Sequence, residues 1–217
     1  MSGPSRRTLA RALEALADFS DPSPSLEQYL TPPEIAAHIA HQARMQGDLE
    51  NWTVDLGTGT GMLAIAALLA GAEGVVGIDV DPDALALAQN NAARIDEAGN
   101  AGPLEWVRGD AAEPPLSPPA DGDVTVLSNP PFGAQRGNRH ADREFLETAR
   151  SIATVSYTIH NEGSQEFVES YAADAGADVT HAFRAEFPIA KRFDFHTERE
   201  ATLEAEVFRI EWRGSDS

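Results

Sequence analysis

The chain has 217 residues, 42% of them apolar, with 35 acidic and 16 basic residues that give a formal net charge of −19. This length and apolar content fit a single globular domain with a sizeable core. The absence of cysteine excludes disulfides and thiolate metal sites. The longest apolar run, residues 62–72, is too short to cross a membrane, and the N-terminus lacks a signal-peptide core, so we expect a cytoplasmic protein.

The basic residues are almost all arginine, since Lys191 is the only lysine. This composition resembles that of proteins from salt-accumulating archaea, in which surface carboxylates retain water. A strongly negative chain normally argues against a nucleic-acid partner. At roughly molar salt, however, the Debye length is about 3 Å, so distant charges are screened. The charge therefore weakens the case for an RNA partner without deciding it.

The N-terminal residues predict a short helix and a connector. An amphipathic helix is expected over residues 8–19, with Leu9, Leu13 and Leu16 on one face. Residues 21–25, Asp-Pro-Ser-Pro-Ser, are typical of a turn-rich connector.

A second helix is predicted to begin after Thr31 and to run to about Met45. Thr31 is a plausible N-cap, with Pro32 at the first helical position. His38 and His41 lie on this helix, but no cysteine or nearby pair of carboxylates completes a metal site. We therefore predict no metal.

From residue 51 the pattern becomes strand, glycine loop and helix. Residues 52–56 predict a strand, 57–61 a Gly-Thr-Gly-Thr-Gly loop, and 62–70 a helix that is apolar on all sides. A second strand, 74–78, ends at Asp79. Glycines allow the backbone to approach a ligand, and a carboxylate about twenty residues further on can accept hydrogen bonds from ribose hydroxyls. The sequence therefore predicts a nucleoside-binding half-domain.

The spacing of the loop indicates which nucleoside is bound. A dinucleotide site needs G-x-G-x-x-G, but the third glycine here, Gly61, falls one residue early. The pattern Asp-x-Gly-x-Gly-x-Gly that starts at Asp55 is more similar to motif I of the Rossmann-like methyltransferases, which bind S-adenosylmethionine.

The remainder of the chain continues to alternate helices and strands. The predicted elements are a helix N-capped by Asp81 with Leu85, Ala88, Ala92 and Ile95 as its buried stripe, strands 104–107 and 124–128, a helix 145–150, a strand 154–159, a helix 165–173, and strands 179–187 and 202–212. Residues 1–25 would form an N-terminal helix and connector, and residues 26–217 a single domain. This order predicts a seven-stranded, mostly parallel Rossmann-like sheet with an antiparallel C-terminal strand and helices on both faces.

A polar residue follows the predicted strand 124–128. Pro130 and Pro131 must stop this strand, because proline has no N–H donor and a fixed φ. Asn129 would therefore be held rigidly at the strand end, with Phe132 three residues on. The Asn129 side-chain oxygen and the Pro130 carbonyl could both accept from an amine while Phe132 stacks on the attached ring. An ordinary Asn-Pro turn is the alternative.

Two groups of basic residues stand out in this acidic chain. The segment 133–143 contains Arg136, Arg139, His140 and Arg143, which could contact phosphate or form a solvated loop. A second group lies around the last two predicted strands and consists of Arg184, Lys191, Arg192, His196 and Arg199.

Taken together, these residues resemble the methyltransferase-like protein 5 family of small-subunit rRNA adenine-N6 methyltransferases and its archaeal relatives. The similarity runs over residues 26–212. Its pieces are Leu-Glu-Gln-Tyr-x-Thr at 26–31, Asn-Pro-Pro-Phe-Gly at 129–133, Tyr-x-x-His at 157–160 and a Phe-x-Phe-His-like stretch at 193–196.

The resemblance implies roles for particular residues. The implied S-adenosylmethionine contacts are Gln28, Thr31, Asp55, Gly57, Thr60, Met62, Asp79, Asp110 and Ala111. The implied catalytic residues are Asn129, Pro130, Pro131 and Phe132. Family members also pair with a zinc-ribbon activator subunit that extends the sheet at an edge strand, here residues 104–108. Trp106 on that strand would contact the partner or pack against its own domain.

Three other functions compete with an rRNA methyltransferase. A protein glutamine-N5 methyltransferase would use the same acceptors on a carboxamide, although it usually carries a larger N-terminal recognition domain. A non-catalytic cofactor-binding scaffold in ribosome assembly would not need the intact Asn129. A dehydrogenase is disfavoured by the loop spacing.

Overall fold

The computed structural model describes residues 3–95, 102–117, 123–131, 141–190 and 200–212, excluding the side chains of residues 24, 185–190 and 200–203. Within these segments the helices are α1 Arg6–Leu13, α2 Pro33–Gln46, α3 Met62–Ala70, α4 Pro82–Ile95, α5 Ala141–Ile152 and α6 Gln165–Asp174. The strands are β1 Trp52–Leu56, β2 Gly74–Asp79, β3 Leu104–Arg108, β4 Val124–Ser128, β5 Val155–Asn161, β6 Asp178–Ala190 and β7 Glu200–Glu211.

All seven strands form one sheet in the order β3-β2-β1-β4-β5-β7-β6. The pairs from β3 to β5 are parallel, whereas β7 is antiparallel to both β5 and β6. The predicted fold is therefore confirmed, with two antiparallel pairings at its C-terminal side. The strand order also places the carboxyl ends of β1, β2 and β4 side by side, where ligands bind in open parallel sheets.

Two apolar clusters cover the two faces of the sheet. On one face the buried residues of α1, α2 and α3 pack together, and Leu13 of α1 is completely buried among them. On the other face α5 and α6 pack on alternate residues of β4 and β7, with Phe208 only 1% exposed. Because both faces are covered, all five residues of β4, Val-Thr-Val-Leu-Ser, are buried rather than only alternate ones. Among the described residues, no helix is long and apolar enough to span a membrane.

The predicted start of the second helix is wrong. The helix begins at Pro33, its N-cap is Pro32, and no side chain caps it. Thr31 instead accepts a hydrogen bond from the side chain of Asn129 at 3.0 Å. A residue that suits an N-cap thus makes a contact 98 residues away in sequence, which local pattern does not reveal.

Other helix bounds also shift. The first helix ends at Leu13 rather than at residue 19, and α5 begins at Ala141, four residues before its predicted start. The apolar face predicted for the first helix is nevertheless correct, since Leu9 and Leu13 of α1 and Leu16 just after it are all buried.

Trp106 packs against its own domain. A Cβ atom added at Gly77 would lie 2.5 Å from the Trp106 ring, and one added at Gly61 would lie 2.9 Å from it. The two glycines therefore leave room for this ring on the sheet. Of the two alternatives that the sequence left open for Trp106, the structure shows the internal one.

Candidate functional site

A cleft with a volume of about 330 Å³ lies at the carboxyl ends of β1, β2 and β4. All nine residues predicted to contact the cofactor line it: Gln28, Thr31, Asp55, Gly57, Thr60, Met62, Asp79, Asp110 and Ala111. Asn129 and Pro131 line the same cleft, and Pro130 lies between them in the chain. The structure thus brings together residues from five separate stretches of sequence. Phe132 lies outside the described residues.

The glycine loop has a shape that larger residues would not tolerate. Gly57 and Gly61 have φ values of +67° and +82°, a region that L residues rarely adopt. A Cβ atom at Gly57 would also lie 3.2 Å from the Phe145 ring. The loop therefore depends on glycine both for its conformation and for close packing.

Asp55, in β1, stabilises the glycine loop through hydrogen bonds. Its Oδ2 accepts hydrogen bonds from the Thr58 hydroxyl at 2.6 Å and from the backbone N–H of Ala64 at 3.0 Å, which joins the loop to the first turn of α3. Its Oδ1 is buried and has no hydrogen-bond partner within the described part of the chain. Burial raises the pKa of Asp55 to about 7, against its two hydrogen bonds, which lower it.

Asp79, at the end of β2, also stabilises the loop. Its Oδ2 accepts from the Gly59 N–H at 2.8 Å and its Oδ1 from the Asp81 N–H at 2.9 Å. Burial raises its pKa. Each carboxylate oxygen can accept more than one hydrogen bond, so Asp79 keeps acceptor capacity toward the cleft. The next residue, Val80, is an apolar side chain that is 51% exposed.

Asp110 and Ala111 form the far wall beyond β3. Asp110 is exposed, and its Oδ1 accepts from the Ala112 N–H at 2.9 Å, while Ala111 is buried against the second apolar cluster. This arrangement leaves the Asp110 carboxylate at the mouth of the cleft, near the end of a third parallel strand.

Gln28 uses both polar ends of its side chain within the protein. Its Oε1 accepts from the Ser23 N–H at 2.7 Å, and its Nε2 donates to Asp81 at 2.7 Å. The residue therefore ties the N-terminal connector to the start of α4, besides lining the cleft.

Asn129 lies immediately after β4, as the two prolines predict. Its Nδ2 donates to Thr31, and its Oδ1 is buried without a hydrogen-bond partner among the described residues. An unpaired buried acceptor costs about 1–3 kcal/mol, so its presence at the cleft points to a donor that arrives with a ligand.

The cleft has further lining residues that were not among the predicted contacts, and two of them are Phe19 and Glu27. Phe19 lines it from the segment between α1 and α2, and Glu27 lines it with a left-handed backbone at φ +48°. Glu27 is only 6% exposed. Glu27 lies within the Leu-Glu-Gln-Tyr motif next to Gln28, so that motif is a signal for it, whereas no motif or period marks Phe19.

The other predicted candidates lie elsewhere or are already engaged. His38 stacks on Phe183, with 4.1 Å between ring centroids. Arg143 pairs with Glu147 at 3.0 Å on the exposed surface of α5. Arg184 lies 3.6 Å from the buried Glu206. The remaining basic residues of both groups lie outside the described residues.

The donors and acceptors of the cleft fit S-adenosylmethionine. Asp79 suits ribose hydroxyls, Asp110 suits an adenine amine, and the glycine loop permits close approach of the nucleoside. The open acceptor of Asn129 lies in the same cleft, as a site that joins a cofactor to a second substrate requires.

Comparisons with known proteins agree with this assignment. The sequence profile of the ribosomal protein L11 methyltransferase (PrmA) family matches residues 41–101, which span the glycine loop and Asp79. An uncharacterized protein of Methanocaldococcus jannaschii is 34% identical over 98% of this chain and 96% of its own length. The rRNA N(6)-adenosine-methyltransferase Mettl5 of Drosophila melanogaster is 33% identical over 94% of this chain and 95% of its own length.

A solved structure extends this agreement to three dimensions. The crystal structure of a proposed RNA methyltransferase from Pyrococcus horikoshii superposes with a TM-score of 0.81 at 32% identity, over 95% of this chain and 98% of that one. Identity above 30% along nearly the whole of both chains leaves no large region of either protein unmatched. The chain therefore belongs to the methyltransferase-like protein 5 family of rRNA N(6)-adenosine-methyltransferases, enzymes whose cofactor is S-adenosylmethionine.

Proposed function

We propose that this protein transfers a methyl group from S-adenosylmethionine to the N6 amine of an adenosine in small-subunit rRNA. The observation that carries the proposal is Asn129, whose Oδ1 is buried and has no hydrogen-bond partner within the described segments, in the cleft that also holds the glycine loop and Asp79. The names of the relatives support an rRNA adenosine as the substrate, and the family resemblance supports the small subunit.

The amide of Asn129 is oriented by its neighbour. Because Nδ2 already donates to the Thr31 hydroxyl, the oxygen is the end of the amide left to receive a donor. The Pro130 carbonyl follows in the chain, and proline keeps the backbone there rigid. Two fixed acceptors at one strand end suit a group with two N–H donors, such as the adenine amine.

These acceptors address the difficulty of the reaction. The lone pair of an adenine amine is conjugated with the ring, which makes the nitrogen a poor nucleophile. When the two acceptors receive hydrogen bonds from both N–H groups of the amine, a pyramidal nitrogen is favoured and its lone pair is directed to one side. S-adenosylmethionine, when bound, supplies the methyl group and leaves as the thioether S-adenosylhomocysteine. The surplus proton of the methylated amine passes to water, so catalysis is chiefly orientation.

An adenine in RNA must leave its stack to enter the cleft. Turning a base out costs a few kcal/mol, and stacking on an aromatic ring recovers part of that. We propose that Phe132 provides this stacking surface, since it follows Pro131 directly in the chain.

The test is methyl transfer to unmodified small-subunit rRNA, followed by digestion to nucleosides and mass spectrometry. Asn129→Ala should lower N6-methyladenosine formation about a hundredfold or more and change cofactor affinity by less than about threefold. Asn90→Ala, an exposed asparagine on α4, is the matched control and should remain active. Full turnover by Asn129→Ala would refute the mechanism. Cofactor binding with no RNA product would favour the protein-glutamine or scaffold alternative.

We further propose that a zinc-ribbon activator subunit pairs with β3. This strand is an edge of the sheet and bonds to β2 through alternate residues, as the Gly109 N–H to Asp79 carbonyl bond at 3.0 Å indicates. The N–H groups of Leu104, Trp106 and Arg108 therefore face away from β2. Trp106 itself packs inward, so the proposal rests on the open strand edge and not on an exposed aromatic ring.

The partner proposal has its own test. Arg108→Pro removes one outward N–H and should weaken co-purification of the two subunits, whereas Arg108→Ala should not. Equal co-purification of both variants would exclude pairing at this edge.

We also propose that the protein comes from a salt-accumulating archaeon and works at high salt. The support is its composition, with 35 acidic residues against 16 basic ones and a single lysine.

A further inference from the structure

We propose that Phe19 is a wall of the cofactor cleft and that Asn91, on α4, is a positioning residue that holds Phe19 against the glycine loop. The inference rests on the cofactor of the proposed function and not on its RNA substrate. It assigns the segment between α1 and α2 to cofactor binding.

Asn91 is completely buried and makes three hydrogen bonds, all to backbone. Its Oδ1 accepts from the Ala17 N–H at 2.8 Å, and its Nδ2 donates to the Ala17 carbonyl at 2.9 Å and to the Thr60 carbonyl at 2.9 Å. One amide therefore forms hydrogen bonds with both backbone polar groups of Ala17 and also with the glycine loop. The amide of asparagine supplies the acceptor and the two donors that these bonds need, and glutamine, which carries the same amide, is one methylene longer.

Phe19 lies two positions after Ala17 and packs against the glycine loop. A Cβ atom added at Gly59 would be 3.4 Å from the Phe19 ring, in van der Waals contact. The N–H of Gly59 donates to Asp79, the carboxylate assigned to the ribose. Phe19 lines the cleft and is half-buried, so part of its ring faces the space that a cofactor would fill.

The segment is anchored at both ends. Asn91 fixes Ala17, and the Gln28 side chain, which donates to Asp81, fixes the other end next to the same helix. Helix α1 ends at Leu13, so regular helical bonding does not determine the path between these anchors. Because Asn91 bonds to Ala17 and Thr60 together, it sets the distance between the N-terminal wall and the glycine loop.

A purely structural Asn91 would predict a different result. In that case its loss would lower stability and the amount of folded enzyme, but the folded fraction would bind cofactor normally. In our proposal the folded fraction binds cofactor weakly, because Phe19 is no longer held in place and its contribution to cofactor affinity is lost. Affinity measured on folded protein, together with a double-mutant cycle, separates the two.

The experiment measures S-adenosylhomocysteine affinity by calorimetry, without RNA, for Phe19→Ala, Asn91→Ala and the double variant. We expect each single variant to bind about tenfold more weakly, and the double variant to bind no more weakly than Asn91→Ala alone. At saturating S-adenosylmethionine, kcat should stay within about twofold while KM for the cofactor rises. Amide exchange of residues 14–22 should quicken in Asn91→Ala only.

Matched controls are available for both residues. Asn90→Ala changes the exposed neighbour of Asn91, and Phe167→Ala removes a partly exposed phenylalanine of α6 outside the cleft. Both should bind within about twofold of the parent. Unchanged affinity in Phe19→Ala would overturn the proposal even if Asn91→Ala did not fold. Multiplicative losses in the double variant would show that Asn91 does not act through Phe19. If the affinity changes are observed but the parent protein does not methylate RNA, only the proposed substrate is wrong.

Discussion

Asp55 shows how one buried carboxylate can serve structure and remain an electrostatic cost. Its Oδ2 organises the glycine loop through Thr58 and Ala64, while its Oδ1 lies buried without a partner among the described residues. Desolvation favours the neutral form of Asp55, whereas the two hydrogen bonds that it accepts favour the charged form. Desolvation dominates, which is why the pKa rises to about 7.

This raised pKa predicts a pH dependence of stability. A carboxyl group with pKa 3.8 when unfolded and about 7 when folded favours folding at low pH, and the contribution is lost as pH rises through that interval. Relative to Asp55→Asn, the parent should lose free energy of unfolding between about pH 4 and pH 7, with a slope of at most about 1.4 kcal/mol per pH unit. Urea unfolding of both proteins across this range measures the difference.

The comparison with Asp55→Asn is needed because another buried group acts in the opposite direction. Burial lowers the pKa of His160 to about 4, so its contribution is lost as pH falls from about 6.5. Both proteins contain His160, and the difference between them removes its effect. A difference that stays constant with pH would mean that Asp55 is ionised throughout.

Among the elements, β7 is fixed to the turn after α2 by a buried ion pair. Arg209 donates to both oxygens of Asp48 at 2.8 Å, and both side chains are 7% exposed. The Tyr157 hydroxyl donates to the same carboxylate at 2.6 Å. Arg209 also pairs with Glu211 and donates to Thr180 at 2.6 Å. The guanidinium thus links the antiparallel strands to the turn after α2.

Removing one partner of this pair should be costly. Arg209→Met removes the ion-pair partner of the buried Asp48 carboxylate, and breaking a buried ion pair in this way typically costs about 3–5 kcal/mol. Urea unfolding at constant salt gives the value. The double variant Asp48→Asn/Arg209→Met removes both charges and should recover part of the loss.

Arg143→Met is the matched control, because Arg143 pairs with Glu147 at a similar distance of 3.0 Å but on the exposed surface. Exposed pairs contribute little to stability, so this variant should unfold at nearly the same urea concentration as the parent. Equal losses for Arg143→Met and Arg209→Met would show that burial does not determine the strength of these pairs.

At the scale of the whole molecule, the sequence predicts features that are marked by local motifs, whereas contacts between residues far apart in the chain become visible only in the folded structure. The glycine loop, Asp79 and the prolines after Asn129 are local signals tied to strand ends, and parallel strands bring such ends together. The bond from Asn129 to Thr31 spans 98 residues and that from Asn91 to Ala17 spans 74. Such contacts depend on the path of the segment between α1 and α2, and no period or motif encodes that path. The same reasoning explains why Thr31 resembled an N-cap and why Asn91 went unnoticed within an amphipathic helix.

The net charge gives the last prediction. With 35 acidic and 16 basic residues, most carboxylates cannot pair with a basic residue, and their mutual repulsion opposes the compact state. Added salt screens this repulsion, so the midpoint of thermal unfolding should rise as KCl increases from about 0.1 M to about 2 M. The triple variant Asp83→Asn/Glu166→Gln/Asp174→Asn neutralises exposed acids on α4 and α6, and its midpoint should rise less. If both proteins respond equally to KCl, salt acts through apolar burial and not through charge. A smaller response in the triple variant, measured by circular dichroism, would locate the salt requirement in the acidic surface.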